Sequence, residues 1–293
     1  MKEISGKVAL VTGAGSGMGR TTALELAREG ASLILVDISG EALGRVAREV
    51  EALAGEPHTF CADLTDFEQV EEMAAAVAAR WGAVDILVNC VGVAHMGHIV
   101  DTTLEEWRFL LDVNLWSIIH TVKAFAPAMV ERGSGHIVNV SSGQAFFAVP
   151  TWGPYATTKF AVDGYTEALR YELFWHGVDV SCVYPGVVRT PFYEDITGGF
   201  VTRFGLKLIL RVVAVEPDAM SRLIVKGIKK RRKHVLQWFV WPLYVLRRVL
   251  PWPFDAAGLA GARLLRDEKG PGPVCPSSEG VSAPEGGDCD TPA

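Results

Sequence analysis

Several features are missing from this chain, and each absence excludes a class of protein. None of its apolar runs approaches the roughly 20 residues needed to cross a bilayer, so no spanning helix is encoded. Cysteine is scarce: no two of the five form a C-x-x-C pair, which leaves no zinc ribbon and no dithiol redox centre. Cys61, Cys90 and Cys182 sit in apolar, strand-like runs and are expected as reduced, buried thiols, while Cys275 and Cys289 fall in a polar tail. No H-E-x-x-H motif occurs. His95 and His98 stand at i,i+3 without a third ligand, so no metal site is expected and both imidazoles are assigned to the wall of a substrate pocket. Basic residues are in deficit, 28 Lys and Arg against 34 Asp and Glu, and the net charge of −6 argues against nucleic acid as a partner. The first strand begins almost at Met1, which leaves no room for a signal peptide and points to the cytoplasm.

What is present begins with Val8-Ala-Leu-Val-Thr-Gly13-Ala-Gly-Ser16-Gly17-Met18-Gly19. A short apolar strand runs into a glycine turn, and the good helix formers from Thr21 to Glu29 follow, stopped by Gly30. Strand, glycine turn and helix together point free N–H groups and a positive helix end at a phosphate. A second apolar run, 31–36, ends in Asp37, about 20 positions after the glycines, where a carboxylate holds a ribose hydroxyl pair. The glycines are spaced Gly13-x-x-x-Gly17-x-Gly19, and Met18 stands where the G-x-G-x-x-G fingerprint has its third glycine.

Beyond Asp37 the pattern alternates. Helices are expected over 41–53, 66–81, 104–132 and 155–176, with strands over 58–64, 84–90, 136–142 and 178–184. Buried β-rich runs separated by amphipathic helices imply an α/β fold, one doubly wound parallel sheet covered on both faces. The hydrophobic fraction of 49% and a mean hydropathy of +0.22 allow a large core and an apolar pocket. The regularity weakens after Pro191, and 191–215 reads as a mobile substrate lid. A helix from Glu216 to the basic cluster 229–233, a strand over 234–240 and a helix over 243–250 complete a domain spanning 1–255. Residues 256–293 read as an extension, disordered from about residue 268, where Gly, Pro and Ser cannot support a core.

Tyr155 and Lys159 lie at i and i+4 on one helix face, just after a strand that ends in Ser141-Ser142. An ammonium beside a phenol favours the phenolate, which a proton-transfer residue needs, and a serine hydroxyl there can bond a carbonyl or alkoxide oxygen. With these residues the chain resembles the short-chain dehydrogenase/reductase family over roughly residues 5–191 and is similar to its standard-length NAD(P)-dependent members. The resemblance implies a Rossmann-type fold. It assigns Gly13, Ser16, Gly17, Met18 and Gly19 to the cofactor turn and Asp63-Leu64 to the adenine. Asn89-Cys90-Val91-Gly92 stands where the family has Asn-Asn-Ala-Gly, so Cys90 and Val91 depart while Asn89 and Gly92 keep a cofactor role. By the same resemblance Pro185, Gly186, Val188 and Thr190 contact the nicotinamide, and Asn114 holds a relay water. Ser142 rather than Ser141 orients the substrate oxygen, Tyr155 is general acid/base, and Lys159 tunes it and binds the ribose.

The expectation is an oxidoreductase using NAD, with NADP disfavoured by Asp37. Its substrate is an apolar secondary alcohol or ketone, because Phe146, Phe147, Trp152, Phe192 and Tyr193 flank the catalytic residues. The alternatives are an NADPH-dependent ketoacyl-type reductase and a non-catalytic dinucleotide sensor or scaffold. The family habit of pairing the helices that contain Asn114 and Tyr155 implies a homodimer or homotetramer. The segment 229–254 joins a basic run to six aromatic residues. It reads as a packing element, as a peripheral membrane contact, or as a nuclear-import or nucleic-acid patch.

Overall fold

The computed structural model describes residues 3–190, 192 and 214–264; the tail and nearly all of the expected lid lie outside these. In chain order the elements are β1 (Val8–Thr12), α1 (Gly17–Arg28), β2 (Ser32–Asp37), α2 (Gly40–Ala54), β3 (His58–Cys61), α3 (Phe67–Trp81) and β4 (Ile86–Asn89). They continue with α4 (Leu104–Leu111), a π-helical turn (Asp112–Trp116), α5 (Ser117–Arg132), β5 (Gly135–Val140), α6 (Gly153–Leu173) and β6 (Val178–Tyr184). The last described elements are α7 (Pro217–Lys229), β7 (His234–Leu236), α8 (Val240–Val249) and α9 (Trp252–Leu264).

The strands form one seven-stranded sheet in the order β3-β2-β1-β4-β5-β6-β7, parallel throughout. Strands β4 and β5 are buried at every position, as central strands must be when helices cover both faces. Val46 of α2 and Ile224 and Ile228 of α7 pack on one face, and Val77 of α3, Phe125 of α5 and Val162 of α6 on the other. The chain winds outward from β1 to β3, then returns to lay β4 against the other side of β1, with Thr12 and Asn89 in register. Where the winding direction reverses, the loops leaving adjacent strand ends diverge and open a crevice.

The structure shifts several expected boundaries. The helix expected over 104–132 is broken by the π turn at 112–116, where Asn114 pairs with the backbone of Val93. Strand β3 stops at Cys61, because Asp63 turns the chain by accepting from the Thr65 amide (2.9 Å). Cys61 is exposed on this edge strand rather than buried, its thiol donating to the Ile38 carbonyl (3.3 Å). Strand β7 ends at Leu236 instead of residue 240, since Gln237 leaves the ladder and accepts the amides that begin α8. Helix α9 has no buried residue and no counterpart in the sequence pattern.

Candidate active site

A cavity of about 520 Å³ opens at the carboxyl ends of the strands, at the β1–β4 reversal. Gly13, Ser16, Gly17, Met18 and Gly19 form its floor. The turn requires its glycines for separate reasons. Gly13 and Gly17 have φ of 63° and 51°, a region that costs side chains with a Cβ, and a Cβ on Gly19 would overlap the Gly13 carbonyl. Helix α1 starts here with no acidic residue in its first turn, so its positive end is left for an anion.

Asp37 closes β2 on the same wall. Its carboxylate is held by the amides of Gly15 (2.9 Å) and Ser39 (3.0 Å). Arg20, on the first turn of α1, is drawn away: its Nε donates to Glu49 Oε1 of α2 (3.0 Å) and a second nitrogen to the other oxygen. Asp63 and Leu64 line the cavity after β3, and Pro185, Gly186, Val188 and Thr190 line it after β6. These residues suit a dinucleotide, with a phosphate cradle at a helix end and a fixed carboxylate at the neighbouring strand.

At the other end Ser142, Tyr155 and Lys159 line the same cavity. Successive residues of an extended strand point to opposite sides, and this separates the two serines. Ser141 is buried, its hydroxyl donating to the Lys159 carbonyl (2.9 Å), and so ties β5 to α6. Among the described residues Ser142 only accepts, from the Gln144 amide (3.1 Å), which leaves its proton for the cavity. The Lys159 ammonium stands 5.6 Å from the Tyr155 ring centre and donates to the Val140 carbonyl (3.3 Å). Burial pulls the Lys159 pKa from 10.5 down to about 8. Burial also pushes the thiol of Cys90, at one of the two departures from the family pattern, up to about 12.

Two expected residues stand behind the wall rather than in it. Asn114 Oδ1 accepts from the Val93 amide (2.7 Å), while its Nδ2 donates to the Val93 carbonyl (3.0 Å) and to Thr158 (3.1 Å). A Cβ on Gly92 would lie 3.1 Å from Asn114 Oδ1 and 3.2 Å from Lys159 Nζ, so that glycine lets the amide and the ammonium approach one point. Asn89 belongs to a buried polar ladder. It accepts from Thr121 (2.8 Å) and donates to Asn139 (2.9 Å), which donates to Thr166 (3.1 Å), joining α5, β4, β5 and α6.

The aromatic residues divide. Phe192 lines the cavity, and its ring lies 5.7 Å from Tyr155; that of Trp152 lies 5.8 Å away. Phe146 instead is core, packed against Tyr184 and Tyr244 (4.7 Å each), and Phe147 faces Phe254 (5.8 Å). Tyr193 lies outside the described residues. His95 and His98 do not line this cavity; His95 is buried, with Nε2 3.3 Å from the Thr102 hydroxyl. The sequence reading missed Phe109, Asp112 and Val113, which line the wall from α4 and the π turn. Their spacing of three and four is a single helix face and was the available signal. Gln237 was missed too: its side chain accepts from the Gly186 amide (2.8 Å) and steadies the loop after β6, with no local pattern to announce it.

Comparison with known proteins bears on the same residues. The short chain dehydrogenase family profile matches residues 7–198. The chain is 35% identical over 241 residues to a putative oxidoreductase, SadH, of Mycobacterium tuberculosis, covering 80% of this chain and 87% of that one. A Burkholderia phymatum short chain dehydrogenase/reductase in complex with NAD superposes with a TM-score of 0.78 at 28% identity, over 85% of this chain and 95% of that one. A metagenomic short-chain oxidoreductase in complex with NADP gives 0.67 at 32% identity, over 80% and 97%. The chain thus belongs to the short-chain dehydrogenase/reductase family, the NAD(P)-dependent oxidoreductases that act on CH–OH groups.

Proposed function

We propose that the protein interconverts an apolar secondary alcohol and its ketone with NAD, using Tyr155 as general acid/base. The observation that carries this is the single cavity shared by the glycine turn, Asp37, Ser142, Tyr155 and Lys159. When bound, the nicotinamide supplies or accepts the hydride. The protein's part is orientation and proton handling. Ser142 donates a hydrogen bond to the substrate oxygen, and Tyr155 takes the hydroxyl proton in oxidation or returns it in reduction. Lys159 stabilises the phenolate by its charge. Asn114 acts as a positioning residue through Val93 and Thr158, beside the ammonium.

Asp37 carries the preference for NAD. NADP brings a phosphate of nearly two negative charges where NAD has a hydroxyl, and Arg20 is committed to Glu49. Phe192, 5.7 Å from the Tyr155 ring, gives the substrate end its apolar character, and Val91, Val93, Phe109 and Val113 add apolar wall to the same cavity. Purified protein with NAD, assayed by absorbance against aliphatic, steroid and retinoid secondary alcohols and against sugars, tests the reading. Turnover on the apolar alcohols is expected, and turnover on polyols alone would overturn the substrate class. The exposed Tyr171, Phe174 and Trp175 at the end of α6 support self-association, measurable as solution mass by light scattering.

A further inference from the structure

The catalytic reading leaves the cations and exposed rings of the C-terminal segment without a role. Residues 226–264 contain nine Lys and Arg and one acid, Asp255, in a chain whose net charge is −6. Lys229, Arg231 and Arg247 are paired with Glu29, Asp179 and Asp255. Lys230, Arg232 and Lys233 have no carboxylate partner among the described residues, and all three are exposed.

Several apolar residues of this segment are exposed beside these cations. Helix α8 buries only Val240 and α9 buries nothing. Trp238 is 85% exposed and Trp241 57%, and Val249, Leu250, Leu259 and Leu264 are exposed as well. A depression of about 780 Å³ between α7, β7 and α8 is lined by Arg232, Lys233, Trp238, Phe239, Trp241 and Tyr244, so free cations and exposed rings share one surface.

Exposed apolar area on this scale marks a contact surface, and the charge selects what it contacts. A polyphosphate would satisfy the cations but leave Val249, Leu259 and Leu264 in water. A second copy related by a two-fold would set this positive face against itself. An anionic bilayer satisfies both sets of side chains: aromatic rings settle at the headgroup boundary while Lys and Arg reach the phosphates. None of the described helices is long and apolar enough to cross a membrane.

We propose that residues 230–264 form a peripheral docking surface for an anionic lipid bilayer, with Trp238 and Trp241 entering the interface beside Lys230, Arg232 and Lys233. The proposal rests on charge and packing and is independent of the catalytic assignment. The full-length protein is sedimented with vesicles of equal parts phosphatidylglycerol and phosphatidylcholine, and with phosphatidylcholine alone. Binding to the mixed vesicles is expected at low salt, with release near 1 M salt, where the Debye length falls to about 3 Å. Each cation near such a surface contributes about 1 kcal/mol, or about fivefold, so the triple variant Lys230→Gln, Arg232→Gln, Lys233→Gln should bind about 100-fold more weakly. Trp238→Ser with Trp241→Ser should lose most tryptophan quenching by brominated lipid while the far-UV spectrum stays unchanged. Three results would overturn the proposal: no sedimentation with the mixed vesicles at low salt, equal binding to phosphatidylcholine alone, or a fall in solution mass in the tryptophan variant. The last would put a second copy of this chain on the face.

Discussion

Helices α6 and α9 are built from similarly helix-prone residues, yet α6 buries ten of its 21 residues and α9 buries none. Tyr155 and Lys159 ride on α6, which is fixed through Ser141, Asn139 and Arg170 to the strands beneath it. Helix α9 touches the rest at its start, through Phe254 against Phe147 and under the Arg247 guanidinium, and through Asp255 paired with Arg247. The difference suits the two kinds of work proposed for these helices. Proton transfer needs side chains held to fractions of an ångström by packing on every side. A docking surface needs the opposite, apolar area left available to something outside the molecule.

The sharpest way to break this comparison is at Tyr155. Tyr155→Phe keeps the packing of α6 and removes the proton, so kcat should fall by at least ~10²–10⁴-fold while the cofactor still binds, read by steady-state kinetics and cofactor fluorescence. Near-wild-type turnover would remove Tyr155 from the mechanism. Next in size is the cofactor ratio. A partly open carboxylate opposing a phosphate gives between ~1 kcal/mol in water and ~4 kcal/mol at a dielectric near 20, hence ~10–1000-fold in kcat/KM favouring NAD. Asp37→Ser should narrow that ratio, and a wild-type preference for NADP would show that another cation overrides Asp37.

Lys159 allows a test in stability rather than rate. Its native pKa of about 8 lies below the ordinary 10.5, so between these values the unfolded chain binds the proton and the native one does not. Stability from this group is therefore full above about 10.5 and lost as pH falls to about 8. Lys159→Met should abolish turnover yet stabilise the ligand-free protein at neutral pH, by up to about 3 kcal/mol, less whatever the orphaned Val140 carbonyl costs. Thermal melts of both proteins across pH 7–11 should show the difference closing as pH rises; a constant difference would mean that the ammonium is not buried at its cost. The smallest effect belongs to α9. Ending the chain before Trp252 removes one surface ion pair, one ring contact and the Arg247 guanidinium's contact with the Phe254 ring, so Tm should drop by no more than about 2–4 °C. A larger drop would show that the helix is part of the core.

The two regions also differ in how much of them the sequence disclosed. The glycine turn, Asp37 and the Tyr155–Lys159 pair, which share one cavity, stood out as candidates because the chemistry proposed for them demands residue types at short, local spacings. The apolar runs of β1, β4, β5 and β6 announced a two-sided sheet for the same reason. Which of two adjacent serine hydroxyls is spent on the Lys159 carbonyl depended on where β5 meets α6, and that Phe146 is core depended on Tyr184 and Tyr244, far along the chain. Asn89 and Asn114 matched their motifs, but only the fold placed them behind the wall, one in a ladder across the sheet and the other on the backbone of Val93. The commitment of Arg20 to Glu49 and the hold of Gln237 on Gly186 join positions 29 and 51 residues apart and leave no periodic trace. The sequence by itself determined the local conformations and the residue types available for chemistry, because backbone sterics and hydrophobic periodicity act over a few positions. Only the tertiary structure decided which side chains share the cavity and which cations go unpaired beside Trp238 and Trp241, because those depend on packing between elements that local pattern does not specify.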